Sequence, residues 1–438
     1  MNKKNLLPIV LAIGLIISIF SAARSSASPG STSLAAATQT VPVSRITATP
    51  PLPTQTLPPS PTSATGKPLS QCASPLSNAL AGRDDVPSVE SYIFSEPKVV
   101  ATNDFGLRIV QWISNEEVLV LRNLKPGGSR VAIEVLNIKN GQTIRLAEDN
   151  TISGDPLWLP NKRTVIYIAY DLFTNQAKNR SRLMMIGLDK QPAEVMAEEV
   201  TQPLFAMPDG EDVVTLGTGQ QRLMRIGPAK VASTLSNISQ LTMRSLRLLR
   251  AAQSPDSQSV VLYNDTSFVI MELKTGETTE FKLGKWQEEY RWALDVQWSP
   301  NGKYLAVRAT AGRLPNPYSS LLIVDVKNEC MWEVSVSRPF YTHEVAWSPG
   351  GRYLLLSGEV GITQKGYPII EYRLLDLMTG QERKVNLWDA EVGGIYFGWS
   401  PDGKTILINC ATPERGALCA IAVEVKQRSQ DHLSLGLL

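Results

Sequence analysis

One unit recurs seven times beyond about residue 90, and a repeat of that length restricts the fold more than any other feature of the chain. Its clearest copies are VQWSPNGKYLAV (Val296 to Val307), VAWSPGGRYLLL (Val345 to Leu356) and FGWSPDGKTILI (Phe397 to Ile408). Weaker copies are LWLPNKRTVIYI (Leu157 to Ile168), FAMPDGEDVVTL (Phe205 to Leu216), AAQSPDSQSVVL (Ala251 to Leu262) and VQWISNEEVLVL (Val110 to Leu121). Aligned on the proline they fall at 114 (a serine), 160, 208, 255, 300, 349 and 401, spaced by 46, 48, 47, 45, 49 and 52 residues. Such a period is the length of one propeller blade. A chain of 438 residues also exceeds the roughly 250–300 residues at which single cores stop growing, so it needs several domains or a repeated architecture.

Each unit reads as apolar residue, turn, apolar strand. In Ser-Pro-Asp-Gly the proline presets φ, the aspartate bonds locally and the glycine takes the left-handed position, which joins strand one to strand two. Between these anchors a second signature recurs, an apolar strand running into an acidic turn: FVIMELKTGE (Phe268 to Glu277), LLIVDVKNEC (Leu321 to Cys330) and YRLLDLMTGQE (Tyr372 to Glu382). Helical periodicity is absent, so the elements are strands. Four short strands cannot cover both faces of their own sheet, and closing seven such sheets into a ring leaves only short, protected edges. The expected fold is all-β, a seven-bladed β-propeller of four-stranded antiparallel blades. Trp298, Trp347 and Trp399 occupy equivalent places and are expected to fill the space between blades. The last blade needs a fourth strand, which either HLSLGL near the C-terminus or SYIFSEPKVV at residues 91–100 can supply.

On these residues the chain resembles the TolB-like, WD-repeat-like propellers of secreted bacterial proteins, whose repeat reads W-S-P-D-G-K followed by an apolar strand. The resemblance covers roughly residues 90 to 438. It implies an interaction scaffold at the cell envelope, a step of analogy because propellers host many functions.

Composition then excludes several classes. The chain carries 43 basic and 41 acidic residues, a net charge of +2. It therefore lacks the basic excess that releases counterions from a phosphate backbone, and no nucleic-acid partner is expected. Its two histidines, His343 and His432, rule out three-histidine sites, and no CxxC or HExxH spacing supports zinc. Gly398 to Thr405 matches GxxxxGK[ST] literally. However, Pro401 lacks an amide hydrogen and TILIN reads as a strand, so the match is repeat punctuation rather than a phosphate loop. No GxSxG elbow is present. No cofactor, metal or catalytic residue is assigned, and a monomer is expected.

The N-terminus has Lys3 and Lys4, an apolar run from Leu6 to Phe20, and small residues after it, which is the pattern of an export signal. Cleavage fits after Ala23 or Ala27, and an uncleaved anchor of about 18 residues is the alternative and the only membrane attachment foreseen. From Ser28 to Ser70, Pro, Ser and Thr make up 25 of 43 residues, a composition suited to a disordered, semi-rigid spacer. The expected organisation is a signal or anchor over 1–27, a Pro/Ser/Thr-rich linker over 28–89 and the propeller over 90–438, outside the cytoplasm. Cys410 and Cys419 flank a short loop between strands that should pair, so a disulfide is expected there. Cys72 and Cys330 would tie stalk to propeller if they met; free thiols are the competing reading.

The Ser-Pro turns and the strand three–four turns share one rim, so the other rim carries the strand two–three loops. Long loops on a rigid scaffold are the usual route to a binding surface. They occur in blade two (Tyr170 to Arg180), blade five (Thr310 to Ser320), blade six (Gly358 to Pro368) and blade seven (Cys410 to Gly416). Candidate binding residues there are Arg313, Tyr318, Lys365, Tyr367 and Arg415, with Arg291, Trp292, Tyr341 and His343 at the starts of inner strands. The expected partner is an envelope or extracellular protein or glycan. A propeller enzyme, a polysaccharide lyase or glycosidase, is the alternative, with Asp295 and Glu344 as channel-side acids. His343 beside Glu344 is read as structural.

Overall fold

The computed structural model describes residues 67–72, 87–126, 130–149, 152–170, 181–189, 192–207, 212–217, 222–227, 232–237, 250–263, 268–282, 292–311, 318–334, 336, 340–364, 368–388, 397–410 and 416–426. The signal or anchor segment, most of the proline-rich stretch and HLSLGL lie outside the described residues.

Seven antiparallel sheets follow one another along the chain. Blades one to six span 107–149, 152–198, 200–237, 250–282, 292–334 and 341–385, each with four consecutive strands in meander order. Blade seven takes three strands from 397–425 and completes itself from the N-terminal side. Tyr92–Phe94 and Lys98–Asn103 both pair antiparallel with Gly416–Val425 and together fill the fourth place. SYIFSEPKVV, rather than the C-terminal segment, thus supplies the closing strand.

Apolar side chains alternate to both faces of each sheet, and seven buried clusters form at the seven junctions between neighbouring blades. Leu119, Val135, Trp158 and Val165 join blades one and two; Ala306, Ile323, Trp347 and Leu356 join five and six. Leu107, Val118, Leu407 and Leu418 join blade one to blade seven and so close the ring. The repeat tryptophans pack where expected. Trp399 belongs to the cluster between blades six and seven, and Trp298 lies against the one between four and five. Trp298 Nε1 also donates to the Ala252 carbonyl of blade four at 2.9 Å.

The turns explain the repeat atom by atom. Ser400 Oγ donates to Asp402 Oδ1 (2.7 Å) and accepts from the Thr405 amide (2.9 Å), while the Gly403 amide donates to the Ser400 carbonyl. Gly403 has φ +73°, a conformation that costs a side-chain-bearing residue energy. The same hub recurs at Ser299 with Asn301 and at Ser254 with Asp256. The serine is buried each time, at 5% exposure or less, so it is as much a part of the motif as the proline.

Residues 67–72 fall within the stretch read as linker, yet they are seated on the propeller. Lys67–Pro68 and Ser70–Gln71 add parallel fifth strands to blades four and five. Two disulfides are present, Cys410–Cys419 inside blade seven and Cys72–Cys330 between this segment and blade five.

Candidate functional site

Because the Ser-Pro turns occupy one rim, inner strands begin and second strands end at the other. In blade five the inner strand Trp292–Trp298 places Asp295 opposite Arg308 of Tyr304–Ala311. In blade six the inner strand Tyr341–Trp347 places Tyr341 opposite Glu359 and Glu344 opposite Ser357 of Tyr353–Ile362. Both inner strands are irregular in register near this end. Blades one, two and three show register shifts between the same pair of strands. The irregularity is therefore a property of the scaffold.

These charges form a polar cluster on the long-loop side. Arg308 Nη2 lies 3.9 Å from Asp295 Oδ2, and His343 Nε2 lies 3.6 Å from Glu359 Oε2. The four side chains retain between 19% and 31% of their exposure, so they are shielded without being sealed. The Tyr341 ring meets His343 edge-on, with centroids 5.2 Å apart. From blade four, Tyr263 approaches Asp295 closely enough to feel its charge. Arg308 Nε and His343 Nε2 are buried atoms that meet no hydrogen-bond partner among the described residues.

Burial pushes the Glu344 carboxyl up to about 7; repulsion by Asp295 adds to the rise and Arg308 opposes it. Burial, helped by Arg308, pulls His343 down to about 4. At neutral pH the imidazole is neutral, and its approach to Glu359 is a polar contact rather than an ion pair. Burial also raises Glu359, and burial followed by repulsion from Asp295 raises the Tyr263 phenol. The cluster thus offers one fixed cation, several carboxylate oxygens and one carboxyl that is partly protonated near neutrality. It can hydrogen-bond a polar ligand in both senses.

Of the residues expected on the binding rim, the structure brings Tyr341 and His343 together. Trp292 begins the inner strand of blade five, and Tyr318 begins its third strand, opposite Ala311. Arg291, Arg313, Lys365, Tyr367 and Arg415 lie outside the described residues. Arg308 and Glu359 were not anticipated. The available signal was a single charge interrupting each of two apolar second strands, YLAVRATA and YLLLSGEVGI. Among the described residues no group of three or more His, Cys, Asp or Glu side chains is arranged to hold a metal ion. A separate cleft of about 310 Å³ opens where blades seven, one and two meet, lined in part by Gly106, Arg108, Asn123, Gly154 and Gly416. Arg108 is ion-paired there with Asp155.

No family model matches the sequence, and no curated protein matches it. Solved structures do. TolB from Acinetobacter baumannii is 14% identical with a TM-score of 0.41, over 64% of this chain and 63% of TolB, so the chain matches just under two thirds of TolB's length. An oligogalacturonate lyase from Vibrio parahaemolyticus is 12% identical with a TM-score of 0.51, over 77% of this chain and 98% of the lyase. Hydrazine synthase from Kuenenia stuttgartiensis is 13% identical with a TM-score of 0.49, over 73% and 94%. At such identities the likeness concerns the fold alone. By its own repeats and sheet order, the chain is a seven-bladed β-propeller.

Proposed function

We propose that this chain is a non-enzymatic binding propeller working outside the cytoplasm, which holds an envelope or extracellular protein or glycan on the rim of blades five to seven. The observation that carries this reading is the convergence of Asp295, Arg308, His343, Glu344 and Glu359 beneath that rim. These side chains are drawn from two adjacent blades and remain partly exposed. Arg308 Nε and His343 Nε2 meet no hydrogen-bond partner among the described residues, a trait they share with Trp347 Nε1 and Trp399 Nε1 of the core, so the partial exposure of the cluster is what favours a ligand over a purely structural role. The two disulfides support a location outside the reducing cytoplasm. The test is capture from envelope extract and binding to an immobilised glycan panel. Wild type is compared with a triple change at Arg313, Tyr318 and Tyr367 and with Arg308→Gln. Loss of the same ligand in both variants is expected; undiminished binding in both removes the rim of blades five to seven as the surface.

A second reading, a glycan-cleaving enzyme, is favoured by one observation. Glu344 is held partly protonated near neutrality close to Asp295, a property suited to a general acid. Incubation with acidic and neutral polysaccharides, with detection of new reducing or unsaturated ends, separates the readings. Product formation that disappears in Glu344→Gln would replace the binding function with catalysis.

A further inference from the structure

The segment seated on blades four and five is held in an unusual way. Lys67–Pro68 runs parallel to the outer strand Thr278–Lys282 of blade four, and Ser70–Gln71 runs parallel to the outer strand Cys330–Val334 of blade five. Leu69, between them, packs on the apolar cluster that joins those two blades. Six residues therefore cross one blade junction from the outside. Among the described residues their non-covalent hold is thin: each ladder is two residues long, and Pro68 has no amide to donate. The Cys72 amide donates to the Met331 carbonyl at 3.0 Å, and Ser70 Oγ donates to the Glu329 carbonyl at 3.4 Å. Ser70 and Gln71 are exposed. Ordering a segment this short costs backbone entropy that so few contacts do not offset, so the Cys72–Cys330 bond is what keeps it in place.

The two disulfides also differ in access. Cys410 and Cys419 are 1% and 0% exposed inside blade seven, whereas Cys72 and Cys330 are half-buried at a sheet edge. Exchange requires a thiolate to reach one of the sulfurs, so only the edge bond is open to it in the folded protein. We propose that residues 67–72 are a thiol-releasable strap, undocked from blades four and five when the Cys72–Cys330 bond is reduced. The reductant is a dithiol. One of its thiolates attacks Cys330 Sγ, forming a mixed disulfide and expelling the Cys72 thiolate. Its second thiolate then closes a disulfide within the reductant and expels the Cys330 thiolate. Two electrons pass to the protein, the dithiol is oxidised, and its two protons end on the two cysteines. Release uncovers the outer edges of Thr278–Lys282 and Cys330–Val334 and the seat of Leu69. It creates two unpaired strand edges of the kind that accept an added strand.

The test uses the full chain, dithiothreitol in graded amounts without denaturant, alkylation of free thiols, and hydrogen exchange read by mass spectrometry. Cys72 and Cys330 should be alkylated while Cys410 and Cys419 stay protected. Exchange of the peptide covering residues 67–72 should rise by about tenfold or more, with the inner strands of all blades unchanged. Cys72→Ser should show the same fast exchange without reductant. Slow exchange of 67–72 in both the reduced protein and the variant would overturn the proposal, because the strap would then hold without its bond. So would alkylation of all four cysteines together, which would report opening of the whole fold. None of these outcomes depends on whether the rim of blades five to seven binds a ligand.

Discussion

Glu344 is the residue at which burial, a like charge and an opposite charge act on one proton. The folded chain holds that proton more tightly than the unfolded chain, where a glutamate titrates near 4.5. Its contribution to stability is therefore fully present below 4.5 and is lost as pH rises through about 7. His343 runs the other way, since its folded value is depressed from 6.5 to about 4: its contribution is present above 6.5 and is lost as pH falls toward 4. Glu344→Gln removes the first effect and leaves the second. Relative to wild type, the variant should gain stability between pH 4.5 and 7, with a constant difference above that window. Urea unfolding at closely spaced pH values measures this, and parallel curves for the two proteins would show that Glu344 does not carry the proton. The two acids were legible as polar residues on inner strands. Arg308 and Glu359 were not, because each is a lone charge in an apolar strand and gains meaning only from the inner-strand side chain near it, Asp295 and His343 respectively.

At the scale of the element, the clearest blades are fixed by the turn and by the tryptophan that precedes it. Both were readable because they recur in those copies at a nearly regular period. The tryptophans nevertheless differ in how they are held. Trp347 is 7% exposed between blades five and six, and its Nε1 meets no acceptor among the described residues. Trp298 is half-buried and spends its Nε1 on the Ala252 carbonyl. Trp347→Ala should cost about 3–5 kcal/mol, as expected for removing a large buried side chain. The two phenylalanine variants should diverge, with Trp298→Phe losing a further ~1 kcal/mol for its hydrogen bond. Equal losses in Trp298→Phe and Trp347→Phe, measured by denaturant unfolding, would mean that the bond to Ala252 contributes nothing. The segment at 67–72 left no comparable trace in the sequence. Two-residue parallel pairings carry no alternation, and KPLSQC is as polar and proline-bearing as the stretch before it, so only the pairing of Cys72 with Cys330 reveals where it sits.

At the scale of the whole molecule, the ring is joined by strands from opposite ends of the propeller sequence. Tyr92–Phe94 and Lys98–Asn103 pair with the long strand Gly416–Val425. Tyr92 packs edge-on against Trp399 and Tyr353, and Arg383 donates to the Tyr92 carbonyl at 2.7 Å. The sequence left this closure open because both ends offered an eligible apolar strand, and nothing local distinguishes them. Physically the two solutions differ in what truncation does. A chain beginning at residue 86 keeps both closing strands and, among the described residues, loses only the segment on blades four and five, so it should unfold in one transition close to that of the intact chain. A chain beginning at residue 105 leaves Gly416–Val425 as a bare edge and strips the aromatic cover from Trp399. It should lose several kcal/mol of buried apolar surface and self-associate through the exposed strand. Calorimetry and light scattering on the two chains decide the matter. If the shorter chain stayed monomeric with an unchanged transition, the ring would have to be closed by some other segment.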